Sequence, residues 1–231
     1  MKTIGLIGGM SWEASAEYYR IINETVRDRL GGVHSCKSLM LTVDFAEIET
    51  LQKQGRWADA TQIMIAAAQQ LEAGGADCVL ICANTMHKMA GEVQENIHIP
   101  VLHIVDATAQ VIKAQGLHKV GLLGTRYTME EDFMKGRLAQ KHGLEVLVPG
   151  VDERNIIHTV IYEELVIGKI NAVSKAAYLG IMDGLAQQGV EGIILGCTEI
   201  GLLVKQSDCA LPLFDTTPIH ALAGVEFALG E

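Results

Sequence analysis

Gly196-Cys197-Thr198-Glu199-Ile200 sets a thiol, a hydroxyl and a carboxylate on consecutive residues, directly after the aliphatic run Ile193-Ile194-Leu195. A short branched run without alternation is the pattern of a buried parallel strand. Open α/β sheets bind their ligands just beyond the carboxyl ends of such strands. A cysteine placed there is available for chemistry once its surroundings set its ionisation. Free cysteine is also a common small hydrophobe of protein cores, so the pentapeptide alone leaves both roles open.

An earlier stretch repeats it. Cys78-Val79-Leu80-Ile81-Cys82-Ala83-Asn84-Thr85 aligns with Gly192-Ile193-Ile194-Leu195-Gly196-Cys197-Thr198-Glu199 at an offset of 114. Leu71, Gly75 and Asp77 align with Leu185, Gly189 and Glu191 at the same offset. Ile4-Gly5-Leu6-Ile7-Gly8 aligns with Val120-Gly121-Leu122-Leu123-Gly124 at 116, and Pro100-Val101-Leu102 with Pro212-Leu213-Phe214 at 112. Any one such echo is weak, because aliphatic strands recur in α/β proteins. Three in the same order at nearly one spacing indicate an internal duplication of about half the chain.

The elements that must carry these residues follow from pattern. Thr3–Ile7 reads as a buried strand, and Gly8-Gly9-Met10-Ser11 as the turn after it, with Ser11 capping a helix from Trp12 to about Leu30. The glycines do not form G-x-G-x-x-G, which argues against a dinucleotide. The plain reading, a tight turn, is compatible with glycine amides facing a carboxylate. Ser38–Val43 is a second strand with a loop from Asp44-Phe45, followed by a helix near Ala58–Ala73, the strand Cys78–Cys82 and a further strand Pro100–Ile104 ending at Asp106. The second half repeats the scheme. Its strands are Val120–Leu123, Leu144–Val148, the run before Cys197, and Leu211–Phe214 with Asp215 at its end, and a closing helix starts at Pro218. Alternating strands and helices predict an α/β fold with a mostly parallel sheet in each half. The expected division is 1–105 with 215–231 as one domain and 106–214 as the other.

Composition limits the function. Of 231 residues, 49% are hydrophobic and 20% charged, enough apolar sequence for substantial cores. A net charge of −10 argues against a nucleic-acid partner. Small anions remain possible ligands, because backbone amides hold them locally. The five cysteines lack the spacing of a disulfide framework, and no His/Cys/Asp group has zinc-ligand spacing. Glu13 and Glu17 interrupt the N-terminal apolar run too soon for a signal peptide, and no apolar stretch approaches the roughly 20 residues of a membrane span. The expectation is a soluble cytoplasmic protein with no membrane partner.

Gly8-Gly9-Met10-Ser11, Asn84-Thr85-Met86-His87 and Gly196-Cys197-Thr198-Glu199-Ile200 together resemble the aspartate/glutamate racemase family over essentially the full length. The resemblance implies two similar Rossmann-like or flavodoxin-like domains, related by a pseudo-two-fold axis and facing each other across a cleft. It also implies a homodimer that uses neither pyridoxal phosphate nor metal, acting on a small acidic amino acid. Racemisation removes the α-proton from one face of a carbon and returns one to the other, so two acid/base groups are wanted. A thiol suits the task, since from a pKa of about 8.5 a modest shift makes it a base near neutrality. The resemblance assigns the acid/base role to Cys197 and donors for the substrate carboxylate to Asn84, Thr85 and Thr198. It brings Met10 and Gln52, the latter expected in a loop, to the substrate.

The sequence departs from the family at one place. Members usually carry Cys-Asn-Thr in the first half; here Ala83 precedes Asn84, and the thiol, Cys82, lies one residue earlier. Adjacent strand residues point to opposite faces, so Cys82 is expected on the packing side, with Ala83 contacting substrate through its backbone. Cys197 would then be the only thiol at the site, and turnover kinetically directional. Cys82, His87 and Glu199 are candidates for tuning the site, as are His103 and Asp215 at matched positions. Arg126 and Lys169 are candidate cations for a distal carboxylate. Cys36, Cys78 and Cys209 are expected to be incidental. Two further functions stay open: a decarboxylase or isomerase of malonate-like acids, like the related arylmalonate decarboxylases with their single cysteine, and a catalytically impaired ligand-binding protein.

Overall fold

The computed structural model describes residues 1–230. In chain order the elements are β1 (Ile4–Gly8), α1 (Trp12–Leu30), β2 (Ser38–Thr42), α2 (Phe45–Lys53), α3 (Trp57–Ala73), β3 (Cys78–Ile81), α4 (Ala90–Glu95) and α5 (Ile104–Ala114). They continue with β4 (Lys119–Gly124), α6 (Arg126–Glu130), α7 (Asp132–His142), β5 (Glu145–Leu147), α8 (Val151–Glu163), α9 (Ala172–Gln187), β6 (Gly192–Gly196), α10 (Ile200–Leu203), β7 (Leu213–Asp215) and α11 (Thr216–Leu229). The chain forms two compact units: Met1–Ile104 with the chain from Thr217 onward, and Val105–Thr216.

The first unit is built on a parallel sheet of order β2-β1-β3. Strand parity sorts β3 and the residues after it onto its two faces. Cys78, Leu80 and Cys82 pack with Ile4, Leu6, Tyr18 and Ile22, and with Ala221 and Val225 of α11. Val79, Ile81 and Ala83 pack with Met10, Ile48, Met64, Ala68 and Met86. All four β3 residues are buried, which explains a run without polar alternation. Helix α1 starts where Ser11 Oγ accepts from the Ala14 amide, and its buried stripe runs through Ala14, Ser15, Tyr18, Ile22 and Val26.

The second unit has a parallel sheet of order β5-β4-β6-β7. The duplication is legible in its pairing. Ile4↔Cys78 in the first unit corresponds to Val120↔Gly192 in the second, as the offsets of 116 and 114 require. Val79↔Val101 likewise corresponds to Ile193↔Leu213.

Two expectations are corrected. Pro100–Ile104 is no full strand but a single bridge at Val101, held by Val79 N–H to Pro100 O and Leu102 N–H to Val79 O, both 2.9 Å. Pro100 has no amide to extend the ladder, the Leu102 carbonyl is taken by His220 Nε2 at 2.6 Å, and α5 begins at Ile104. The loop expected from Asp44-Phe45 is helix α2, capped by Asp44 Oδ1 on the Ala46 amide at 3.0 Å.

Candidate active site

In the second unit the chain leaves the central strand β4 for β5 on one side, then returns to β6 on the other. The carboxyl ends of β4 and β6 therefore form a topological switch point, where open sheets hold ligands. Two paired glycines close this end tightly. A Cβ on Gly124 would lie 2.8 Å from the Gly196 carbonyl oxygen, and one on Gly196 would lie 2.8 Å from that of Leu123. The Thr128 methyl fills the remaining space, 2.8 Å and 3.2 Å from those two positions.

Cys197 follows immediately. Its side chain falls on the face occupied by Leu123, Ile157, Tyr178, Leu195 and Ile200, and the residue is 8% exposed. Its Sγ donates to Glu199 Oε2 at 2.9 Å, and Thr198 Oγ1 donates to the same oxygen at 2.7 Å. Glu199 itself is buried. Asp215, at the end of β7, adds a second carboxylate; Gly201 makes room for it, since a Cβ there would stand 2.1 Å from Asp215 Oδ2. Burial, the Glu199 carboxylate and, more weakly, Asp215 push the Cys197 thiol well above its ordinary range. The shift is opposite to the one the sequence suggested, because burial removes water and the neighbouring carboxylates are anions. In the free protein Cys197 therefore keeps its proton.

That arrangement has a measurable consequence. Replacing Glu199 by Gln removes the negative charge beside the sulfur and leaves a group that can donate to a thiolate. The ionisation of Cys197 should move down, so that alkylation by iodoacetamide, followed by mass spectrometry from pH 6 to 10, begins at lower pH and is several-fold faster at pH 8. An unchanged profile would mean that Glu199 does not control the thiol.

In the first unit the equivalent switch point lies between β1 and β3. Gly9 has φ +97°, and a Cβ on it would stand 2.1 Å from the Val43 carbonyl oxygen, so only glycine fits the turn. The Gly9 amide donates to Ser15 Oγ at 2.8 Å, and Ser15 Oγ donates to Ser11 O at 2.9 Å. The Gly9 amide is thus used inside the turn. Met10, Ala83 and Met86 share one cluster, and Gln52 Nε2 lies 3.3 Å from Met86 Sδ. Met10 and Ala83 thus belong to the same core cluster as Met86, against which Gln52 lies on helix α2 rather than in a loop. Asn84 and Thr85 are buried at the start of the 3-10 turn Thr85–Met89.

Cys82 is elsewhere. Its side chain is fully buried on the opposite face of the sheet, beside Tyr18 and Ile22, where burial pushes the thiol up. No bulge turns it toward Ala83, and the strand's alternation decides the matter. His87 bridges two backbone groups. Its Nε2 accepts from the Ile104 amide at 3.2 Å, so Nδ1 carries the hydrogen and donates to the Ala83 carbonyl at 2.9 Å. His103 lies tilted against it at 4.7 Å, and His220 meets it edge-on at 5.5 Å. His220 Nε2 donates to Leu102 O, leaving Nδ1 to accept from Tyr18 Oη at 2.8 Å; burial holds its pKa down at about 4. This buried imidazole row was not foreseen, because Tyr18 and His220 are far apart in sequence and neither sits in a motif.

The remaining candidates separate clearly. Asp106 is consumed by an ion cluster with Arg137 (2.6 and 2.7 Å), Lys141 and His142, and those bonds hold its carboxyl far below the usual range. Lys169 borders an open hollow of about 560 Å³ whose other walls include Glu163 and Glu164. Burial pushes the Cys36 and Cys78 thiols up to about 11 and 12, and Cys209 is half-buried. Among the described residues no group of three or more His, Cys, Asp and Glu could hold a metal ion, and no helix is long and apolar enough to cross a membrane.

Comparison with known proteins bears on this site. A family model described as Asp/Glu/Hydantoin racemase matches residues 7–224. The crystal structure of a Yersinia pestis protein, described as a candidate Asp/Glu racemase, is similar with TM-score 0.93 and 52% identity, covering 99% of this chain and 100% of that one. An aspartate racemase homologue from Pyrococcus horikoshii OT3 is 35% identical with TM-score 0.86, over 99% and 100% of the two chains. The broad specificity amino-acid racemase RacX of Bacillus subtilis (strain 168) is 25% identical over 169 residues, 70% of this chain and 69% of that protein.

Proposed function

We propose that this chain, which belongs to the Asp/Glu/Hydantoin racemase family, interconverts the enantiomers of an acidic amino acid, aspartate or glutamate, through Cys197. The observation that carries the proposal is the hydrogen bond from Cys197 Sγ to Glu199 Oε2 at the carboxyl end of β6. Glu199 takes the thiol proton, breaking Sγ–H and forming Oε2–H. The thiolate then removes the α-proton, and the electron pair left on carbon delocalises into the substrate carboxylate. A solvent proton returns to the other face, and Glu199 gives its proton back to solvent. The substrate's α-ammonium supplies the positive charge that the Glu199 and Asp215 carboxylates lack in the free protein, so thiolate formation is coupled to binding. The Asn84 and Thr85 amides and Thr198 hold the substrate carboxylate, while Met10, Gln52 and the Ala83 backbone border the substrate. No pyridoxal phosphate or metal takes part, and the protein works as a homodimer in the cytoplasm.

Ala83 stands where the family usually has its other thiol, and it neither gives nor takes a proton. Turnover is therefore faster from one enantiomer than from the other at saturation, although the equilibrium is unchanged. Incubation with each enantiomer of aspartate and glutamate in chelator-treated buffer, read by chiral chromatography, tests the proposal; no interconversion of either acid would reject it. One observation favours a second reading. A resting thiol that retains its proton suits protonation of the enolate left when a malonate-like acid loses carbon dioxide, and carbon dioxide release from aryl- or aminomalonate would identify that reaction.

A further inference from the structure

We propose that Arg126 selects for an acidic side chain by binding the distal carboxylate of the substrate; the assignment rests on the racemase reading above. Gly124 and Gly196 are paired in register, so Arg126 stands two residues beyond β4 as Thr198 stands two residues beyond β6. Thr125 Oγ1 accepts from the Thr128 amide at 3.3 Å and so starts α6, and Thr128 packs on both strand ends. Helix α6, with Arg126 as its first residue, therefore lies across the end of the sheet from which Cys197 emerges. Adjacent strands are about 4.8 Å apart, well within the span of an arginine side chain.

The neighbours of Arg126 fix its place and leave its charge available. Its amide donates to His158 Nδ1 at 3.3 Å, and His158 is held edge-on by Tyr127 at 6.2 Å and tilted against Tyr162 at 4.8 Å. Burial and the Arg126 charge lower the His158 pKa, which keeps the ring neutral and able to accept. His158 lies on α8 next to Ile157, which shares a cluster with Cys197, so this anchor and the thiol are on one face of the sheet. The Arg126 side chain is exposed and makes no ion pair among the described residues. Glu130, the carboxylate on the same short helix, is bound instead by Arg154 at 3.1 Å. The alternative cation, Lys169, sits among the Glu163 and Glu164 carboxylates of its own hollow. A planar guanidinium is suited to grip a carboxylate through two hydrogen bonds.

Calorimetric titration with aspartate, glutamate, asparagine and alanine separates this assignment from the reaction itself. Arg126→Gln should weaken aspartate or glutamate by about 10- to 100-fold, the range expected for a charge-assisted bond, and leave asparagine within about twofold. Arg126→Lys should fall between, and Lys169→Gln should bind as wild type. In turnover the loss should appear in KM for the acidic substrate with a smaller change in kcat. Three results would overturn the assignment: acidic binding untouched by Arg126→Gln, an equal loss for asparagine, or no binding of either acid by the wild type. Should the wild type bind the acid through Arg126 and exchange no α-proton, the racemase reading fails while the assignment stands.

Discussion

Cys197→Ser is expected to abolish racemisation, lowering kcat at least 10³-fold, while the fold survives. General acid/base catalysis by a positioned group contributes about 10²- to 10⁴-fold, and in the proposed mechanism this sulfur alone removes the α-proton. Serine keeps the shape and the hydrogen bond to Glu199 Oε2 but is far too weak an acid to ionise at neutral pH. The substituted residue is 8% exposed among Leu123, Tyr178 and Ile200, so the cost in stability is that of a near-isosteric change. A shift of about 1 kcal/mol moves the melting midpoint by only roughly 2–4 °C in a chain of this size. Retained racemisation in a folded Cys197→Ser protein would remove the thiol from the mechanism.

Ala83→Cys is expected to act in the opposite direction. On the proposed reading it supplies the second thiol that Ala83 lacks, and it should speed the slower enantiomer by about 10- to 100-fold, the lower part of the range for a general acid or base. The two directions should then turn over at more nearly equal kcat. Ala83 is 7% exposed, beside Met10 and Met86. The added sulfur costs about 1–3 kcal/mol if those methionines cannot yield, and methionine is the side chain best able to do so. Cys82→Ala provides the control. That thiol is fully buried on the other face with Tyr18 and Ile22, so its removal should leave both rates unchanged. Equal rates in wild type and Ala83→Cys would mean that the missing thiol is not what limits turnover.

Much of this architecture was legible in the sequence because strand pairing is a local, repeated signal. The offsets of 116, 114 and 112 each became a pairing register, and Ser11 and Gly31 bound α1 as their types suggest. The separation of Cys82 from Ala83 followed from the two-residue period of a strand alone. What escaped depends on partners distant in the chain. The bridge at Val101 stays short because His220 takes the Leu102 carbonyl, 118 positions away. The upward shift of Cys197 comes first from burial against α8 and α9 side chains, then from Glu199 within the motif, and last from Asp215; the burial and Asp215 are what a motif read in isolation does not contain. Gln52 lies on a helix rather than in the loop that the resemblance implies, and the nine residues of α2 leave little periodic signal beyond the Asp44 cap.

The central claim is that one sulfur exchanges the hydrogen on the α-carbon of an acidic amino acid. Proton NMR of L- and D-aspartate and of L- and D-glutamate in deuterium oxide, with and without the protein, follows that hydrogen directly. The account predicts that the α-proton signal of one of these acids decays as deuterium enters, faster for one enantiomer, and that Cys197→Ser halts the decay. An α-proton signal that persists for both acids with folded wild-type protein, or that decays equally with Cys197→Ser, would contradict it.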